Sequence, residues 1–216
     1  MTHAQMPIPA EESTQAGFAK IYAETNPPWD IGKPQPPFIA VADQIKGPLL
    51  DSGCGTGGTA VYFAKRGLAV TGIDFVAQAI ALAQARAQAQ GVSVDFLIKD
   101  AMTLAAWDKR FVSVIDSGLY HIYDAAERRR YVEGLTHITE PGGHLYLFAF
   151  ADGPSAPGGG LTREDIASDF SQGWQIEAID YAPGEVNPAF EHPEMLADLK
   201  MWFAIIRRTA SNGAAE

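Results

Sequence analysis

A chain of 216 residues, 47% hydrophobic and 19% charged, is long enough for one domain with a full core, and its single cysteine, Cys54, allows no internal disulfide. Its 26 acidic against 16 basic side chains give a net charge of −10, which disfavours a general nucleic-acid binder because phosphate contacts draw on Lys and Arg. No apolar run approaches the ~20 residues of a membrane helix and the first 13 residues do not read as a secretory signal, so a cytoplasmic protein is expected, without membrane or nucleic-acid partners.

Residues 1–47 read as a proline-rich lead-in, a helical cap or lid. Helices are predicted over 13–24 and 38–45, with Pro27, Pro28, Pro34, Pro36 and Pro37 breaking any helix between them. Strand and helix patterns then alternate. Strands are predicted at 49–52, 69–74, 94–99, 112–116 and 144–150, and helices at 59–66, 76–90 and 125–139, the last ended by Pro141-Gly142-Gly143. A flexible connector at 151–160 leads to a short helix with Thr162 and Asp165 at a loose capping-box spacing, then to strands at 174–181 and 201–208 and a disordered-looking tail. This order predicts an α/β fold over 48–210, a Rossmann-like, doubly wound seven-stranded sheet, mostly parallel with an antiparallel edge strand.

The strongest local signal is LLDSGCGTGGTAVYFA, an apolar strand running into Asp51-Ser52-Gly53-Cys54-Gly55-Thr56-Gly57-Gly58 and then a helix. Glycines let the backbone turn sharply and approach a ligand closely, and the helix N-terminus offers unpaired N–H groups. Two motifs fit. Gly53, Gly55 and Gly58 match G-x-G-x-x-G with Asp74 21 residues beyond Gly53, a dinucleotide fingerprint that allows an NAD(P)-dependent oxidoreductase. Asp51, Gly53, Gly55 and Gly57 match an acidic-x-G-x-G-x-G loop equally well.

The second motif resembles the loop of class I methyltransferases, and the resemblance runs through nearly the whole chain. It implies S-adenosylmethionine as cofactor and S-adenosylhomocysteine as product. The loop, Asp51 to Gly57 with Cys54 inside it, is then expected around the methionine and ribose part. Thr71-Gly72-Ile73-Asp74 matches the second strand whose acidic end takes the ribose hydroxyls, with Phe75 next to it. Lys99-Asp100-Ala101 matches the acidic residue at the adenine amine, and Val114-Ile115-Asp116-Ser117-Gly118 the strand that ends at the methyl-transfer site. NPPWDIGKPQPPF, DSGLYHIYDAAERRRYV and PGGHLYLFAFADG further resemble the thiopurine-type and bacterial heterocycle-modifying branch, implying transfer to sulfur, nitrogen or oxygen of a small aromatic, heterocyclic or thiol-bearing molecule. A non-catalytic cofactor-binding module is a third alternative.

Transfer from a sulfonium needs alignment and exclusion of water more than acid–base chemistry. Candidate catalytic residues are His121, as a base or as a loop-ordering hydrogen bonder, Tyr22, as a donor or as packing, and Asp116 at the end of its strand. Trp29 is expected as a lid over the cofactor. Cys54 reads as a small packing residue. His3, His137, His144 and His192 have no metal-ligand spacing, so no metal is expected, with an Asp116-centred cation site of the catechol-methyltransferase kind as the alternative. The arginine run at 128–130 reads as a solvated helix face. A monomer or homodimer fits equally well.

Overall fold

The computed structural model describes residues 15–24, 27–153, 156, 159–191 and 199–210. His3, His192, residues 13–14, parts of the 151–160 connector and the tail at 211–216 lie outside them. Helices are α1 (Gln15–Glu24), α2 (Pro36–Ala40), α3 (Gly58–Lys65), α4 (Ala77–Ala89), α5 (Ala125–Ile138) and α6 (Arg163–Asp169). Strands are β1 (Leu49–Ser52), β2 (Val70–Asp74), β3 (Asp95–Ile98), β4 (Phe111–Ser117), β5 (Thr139–Phe150), β6 (Trp174–Ala182) and β7 (Met201–Arg208).

They form one seven-stranded sheet in the order β3-β2-β1-β4-β5-β7-β6. The first five in space are parallel, and β7 runs antiparallel to both β5 and β6. The expected mixed α/β sheet is therefore the observed one. Side chains alternate between two packed layers, as a pleated strand buried on both faces requires. Leu50, Val114, Leu145 and Leu147 join the layer under α5 and α6; Leu49, Ile115, Tyr146 and Phe148 join the layer under α3 and α4. The strand order reverses between β1 and β4, so their carboxyl ends border the crevice where open α/β sheets bind ligands.

Three departures from expectation have a local cause. The second lead-in helix is α2 with turns at 41–44, not a helix over 38–45. Pro36 and Pro37 occupy its first turn, where a missing N–H costs nothing, so they start a helix where a break was expected. Phe38, Ala42 and Ile45 are buried in the sheet core, Phe38 against Phe148 and Phe203. Strand β5 begins at Thr139 rather than residue 144, because Thr139 pairs with Phe111 and the strand absorbs Pro141-Gly142-Gly143 as a register shift, with Gly142 at φ 84°. The Thr162 cap is fully formed, Thr162 Oγ1 accepting from Asp165 N and Asp165 Oδ2 from Thr162 N, since the short Asp reaches back as Glu would.

Candidate active site

At the carboxyl ends of β1, β2, β4 and β5 lies a cavity of about 210 Å³. Its floor is the loop from Asp51 to α3. Gly53, Gly55 and Gly57 have φ of 72°, 51° and 78°, the left-handed region that L side chains resist. At Gly57, which caps α3, a Cβ would also stand 2.7 Å from the Phe96 ring and 2.8 Å from Ala83. The loop is tied to β2: Cys54 N donates to Ile73 O, and Asp74 accepts from Gly55 N at 3.0 Å and Val76 N at 2.9 Å.

Asp51 is the unusual group here. It is 2% exposed, and burial, with Asp116 and Asp74 nearby, pushes its carboxyl up to about 7. Ala60 N serves the carboxylate, but Oδ2 has no partner. A buried acceptor left unpaired at the rim of a cavity is costly unless a ligand donor reaches it.

The lead-in lies across this floor. Phe18 on α1 packs edge-on against Trp29 and Phe75, and Trp29 Nε1 donates to Tyr22 Oη at 3.2 Å. Tyr22 Oη stands directly above Gly55, where a Cβ would come within 2.8 Å of it. Burial, then the charge of Asp74, holds its phenol well above the ordinary range, so it stays a neutral donor. Gly32 and Lys33 backbone press on Gly58, where a Cβ would be 2.8 Å from both. Arg86 of α4 joins loop and lead-in, bonding Thr56 Oγ1 at 3.0 Å and pairing with Asp30 at 3.5 Å.

The same segment is clasped to the β6–β7 connection. Gln35 Nε2 donates to Glu185 O at 3.0 Å while Glu185 N donates to Gln35 Oε1 at 2.7 Å, and Lys33 pairs with the Glu185 carboxylate at 2.7 Å. Asn187 adds bonds from its N to Pro28 O and from Nδ2 to Pro27 O. Beneath the clasp the wall is apolar: Ile31, Phe148, Phe150, Val186, Leu199 and Met201.

After β4, the turn Tyr120–Ile122 carries His121 to this wall. Asp116, fully buried, fixes the turn: Oδ1 accepts from Leu119 N and Tyr120 N, and Oδ2 accepts from the Tyr131 hydroxyl at 2.9 Å. Burial pushes this carboxyl up to about 6 against those bonds. His121 Nδ1 accepts from Phe150 N at 3.2 Å.

The cavity brings together Tyr22, Trp29, Asp51, Gly53, Cys54, Gly55, Asp74, Phe75, Ser117 and His121 from the expected set. Four others do not line it. Asp116 is turned inward; Gly57 is under the loop; Asp100 caps the short turn Ala101–Ala106 by accepting from Met102 N; and Ala101 is buried in that turn. Burial, then the charges of Asp51 and Asp74, pushes the Cys54 thiol up, away from the thiolate a nucleophile needs. Gln35, Glu185 and Arg86 carry no signal in the sequence, since nothing local marks a residue that bonds 30 to 150 positions away. Among the described residues no cluster of three or more His, Cys, Asp or Glu is arranged to hold a metal ion, and no helix is long and apolar enough to cross a membrane.

Residues 49–143 match the family model of a methyltransferase domain. The 2-heptyl-1-hydroxyquinolin-4(1H)-one methyltransferase of Mycobacteroides abscessus is 32% identical over 189 residues, 81% of this chain and 82% of that protein. A structure solved in work on the conversion of a disulfide bond into a thioacetal group during echinomycin biosynthesis superposes with a TM-score of 0.80 at 31% identity, over 91% of this chain and 93% of its own. The N-methyltransferase NodS from Bradyrhizobium japonicum, in complex with S-adenosyl-L-homocysteine, shares the fold at 16% identity, with a TM-score of 0.69 over 91% and 99% of the chains. These likenesses choose between the two readings of the glycine loop, and the chain belongs to the class I S-adenosylmethionine-dependent methyltransferases that act on small molecules.

Proposed function

We propose that the acceptor is a small, flat, apolar molecule, an aromatic heterocycle or thiol, methylated on oxygen, sulfur or nitrogen. The observation that carries this reading is the division of the cavity: a polar floor at Asp51, Gly55 and Asp74 beside an apolar wall of Ile31, Phe148, Phe150, Val186, Leu199 and Met201, with His121 as a polar side chain at that wall. The hydroxyquinolone named for the relative at 32% identity has that chemistry.

The residues present fit the cofactor. The unpaired Oδ2 of Asp51 suits an ammonium group, and at Gly53 and Gly55 a Cβ would press on Leu119 and on the Tyr22 hydroxyl, so the bare backbone there keeps the floor in place. Asp74 would take the ribose hydroxyls, Phe75 and Ser117 would border the nucleoside and the sulfonium, and Asp100 with Ala101 would reach the adenine edge from just outside the cavity. When bound, S-adenosylmethionine supplies an electrophilic methyl group on a sulfonium. Tyr22 and Trp29 exclude water above the loop and keep a neutral hydroxyl facing it. The apolar wall holds the acceptor's ring so that its heteroatom faces the floor, which lowers the barrier by orientation alone.

Incubating the protein with S-adenosylmethionine and a panel of hydroxyquinolones, phenols, N-heterocycles and thiols, and following S-adenosylhomocysteine, tests this. Turnover of planar acceptors over small polar ones is expected. A complex that binds S-adenosylhomocysteine in calorimetry yet turns over none of the panel would remove this acceptor class.

A further inference from the structure

His121 is committed at one nitrogen. Its Nδ1 accepts from the backbone N–H of Phe150 at 3.2 Å, and its ring lies on the Phe150 ring with centroids 4.0 Å apart. A backbone N–H is always a donor, so Nδ1 carries the lone pair and the proton of the neutral imidazole sits on Nε2. Burial holds the ring neutral by pushing its pKa down to about 3. The ring lines the cavity, and among the described residues Nε2 has no protein partner. Taking a proton at Nε2 would need the other tautomer, with two N–H groups facing each other at Phe150 and a hydrogen bond lost.

We propose that His121 acts toward the acceptor as a hydrogen-bond donor through Nε2–H, and that the enzyme takes acceptors that have already lost their proton: hydroxylated or N-hydroxylated heteroaromatics and thiols acidic enough to be anions near neutral pH. This rests on the acceptor class proposed above. The acceptor's proton leaves to water before binding. Its anionic heteroatom then gives the electron pair of the new bond to carbon while the carbon–sulfur bond of the sulfonium breaks with its pair going to sulfur, so no proton remains to be removed.

The other titratable groups at the cavity do not take over the base role. Tyr22 of α1 is held protonated; Lys33 and Glu185 pair with each other at 2.7 Å; Asp30 pairs with Arg86; and Asp74 accepts two loop N–H groups. Asp51 lies at the floor under Gly55, assigned above to the ammonium group. Asp116, near the end of β4 and fixing the turn of His121, has both oxygens engaged.

Three measurements on the full-length protein test the proposal. Nitrogen-15 correlation spectra of histidine-labelled enzyme with S-adenosylhomocysteine, assigned by the signal missing in His121→Gln, should show His121 protonated on Nε2 and unprotonated on Nδ1 from pH 5.5 to 8.5. An Nδ1–H ring, or one that titrates in that range, would overturn it. With saturating S-adenosylmethionine and ring-substituted 1-hydroxyquinolin-4-ones and thiophenols of graded acidity, the pH at which kcat/KM breaks should move with each acceptor's own pKa; one break shared by all acceptors would indicate a base on the enzyme. His121→Gln, whose amide can accept from Phe150 N and still donate, should lose about tenfold in kcat/KM, and His121→Leu about a hundredfold, the scale of one hydrogen bond to a charged group. Equal losses would count against a donor. If wild type turned over no panel member, the acceptor class would fail while the tautomer spectrum still decided His121.

Discussion

As the proposed seat of the cofactor's ammonium group, Asp51 would couple cofactor binding to pH. With its carboxyl at about 7 in the ligand-free protein, it is neutral below that pH and offers an ammonium group no charge. Affinity for S-adenosylhomocysteine in calorimetry should therefore rise from pH 5.5 to 8 and then level off, whereas Asp51→Asn should bind more weakly with a flat profile. Stability runs the opposite way. A carboxyl whose pKa is raised on folding contributes stability below its unfolded value of 3.8 that is lost as pH rises through about 7, so ligand-free Asp51→Asn should gain in melting temperature over wild type from pH 5 to 8. At Asp74, the two charge-assisted bonds proposed to the ribose would vanish in Asp74→Ala, weakening S-adenosylhomocysteine binding by roughly a hundredfold or more. An unchanged dissociation constant would withdraw that role.

Among the elements, the glycine loop is the most constrained, and it was also the most legible. Its glycines announce left-handed backbone because few other residues adopt it, and the flanking apolar strand and helix announce the crevice. Gly57→Ala should cost about 1–3 kcal/mol in denaturant unfolding, because φ is 78° and the new methyl meets Phe96 and Ala83. A loss within experimental error would mean the loop can shift freely. The strands and helices of the sheet were legible for the same reason, that burial on both faces leaves long apolar runs. The start of β5 was not, because Pro141-Gly142-Gly143 usually punctuates and here is absorbed as a shift in register. Helix α2 was half legible: its prolines read as breakers, and only the docking of Phe38 shows that they open a turn. His121 could be singled out from its place after β4, but its tautomer depends on Phe150 N, 29 residues further on.

At the scale of the molecule, the described lead-in is docked by Arg86, Gly58 and the Gln35–Glu185 clasp. Whether it also orders on binding is open to limited proteolysis. Cofactor occupancy should slow cleavage within 13–33 severalfold, and equal rates with and without S-adenosylhomocysteine would mean a permanently docked segment. The sequence showed Trp29 and the prolines but not what holds them, because the bonds are made through the carbonyls of Pro28 and Pro27, which accept from Asn187 N and Nδ2 far along the chain.

The clasp also bears on how such an enzyme changes its substrate by descent. The span matched by the family model, 49–143, contains the glycine loop and the turn of His121, whereas Ile31, Phe148, Val186 and Met201 fall outside it. Two stretches more than 140 residues apart in the chain are thus joined into one wall by the hydrogen bonds of Gln35 and Asn187 and the Lys33–Glu185 pair, so a change in one is expected to call for a change in the other. Grafting 27–37 alone from a relative with another acceptor should break the pairing with Glu185 and Asn187 and depress turnover on every substrate; grafting 182–200 alone should do the same. Grafting both should carry over the donor's acceptor preference and leave the affinity for S-adenosylhomocysteine where it was.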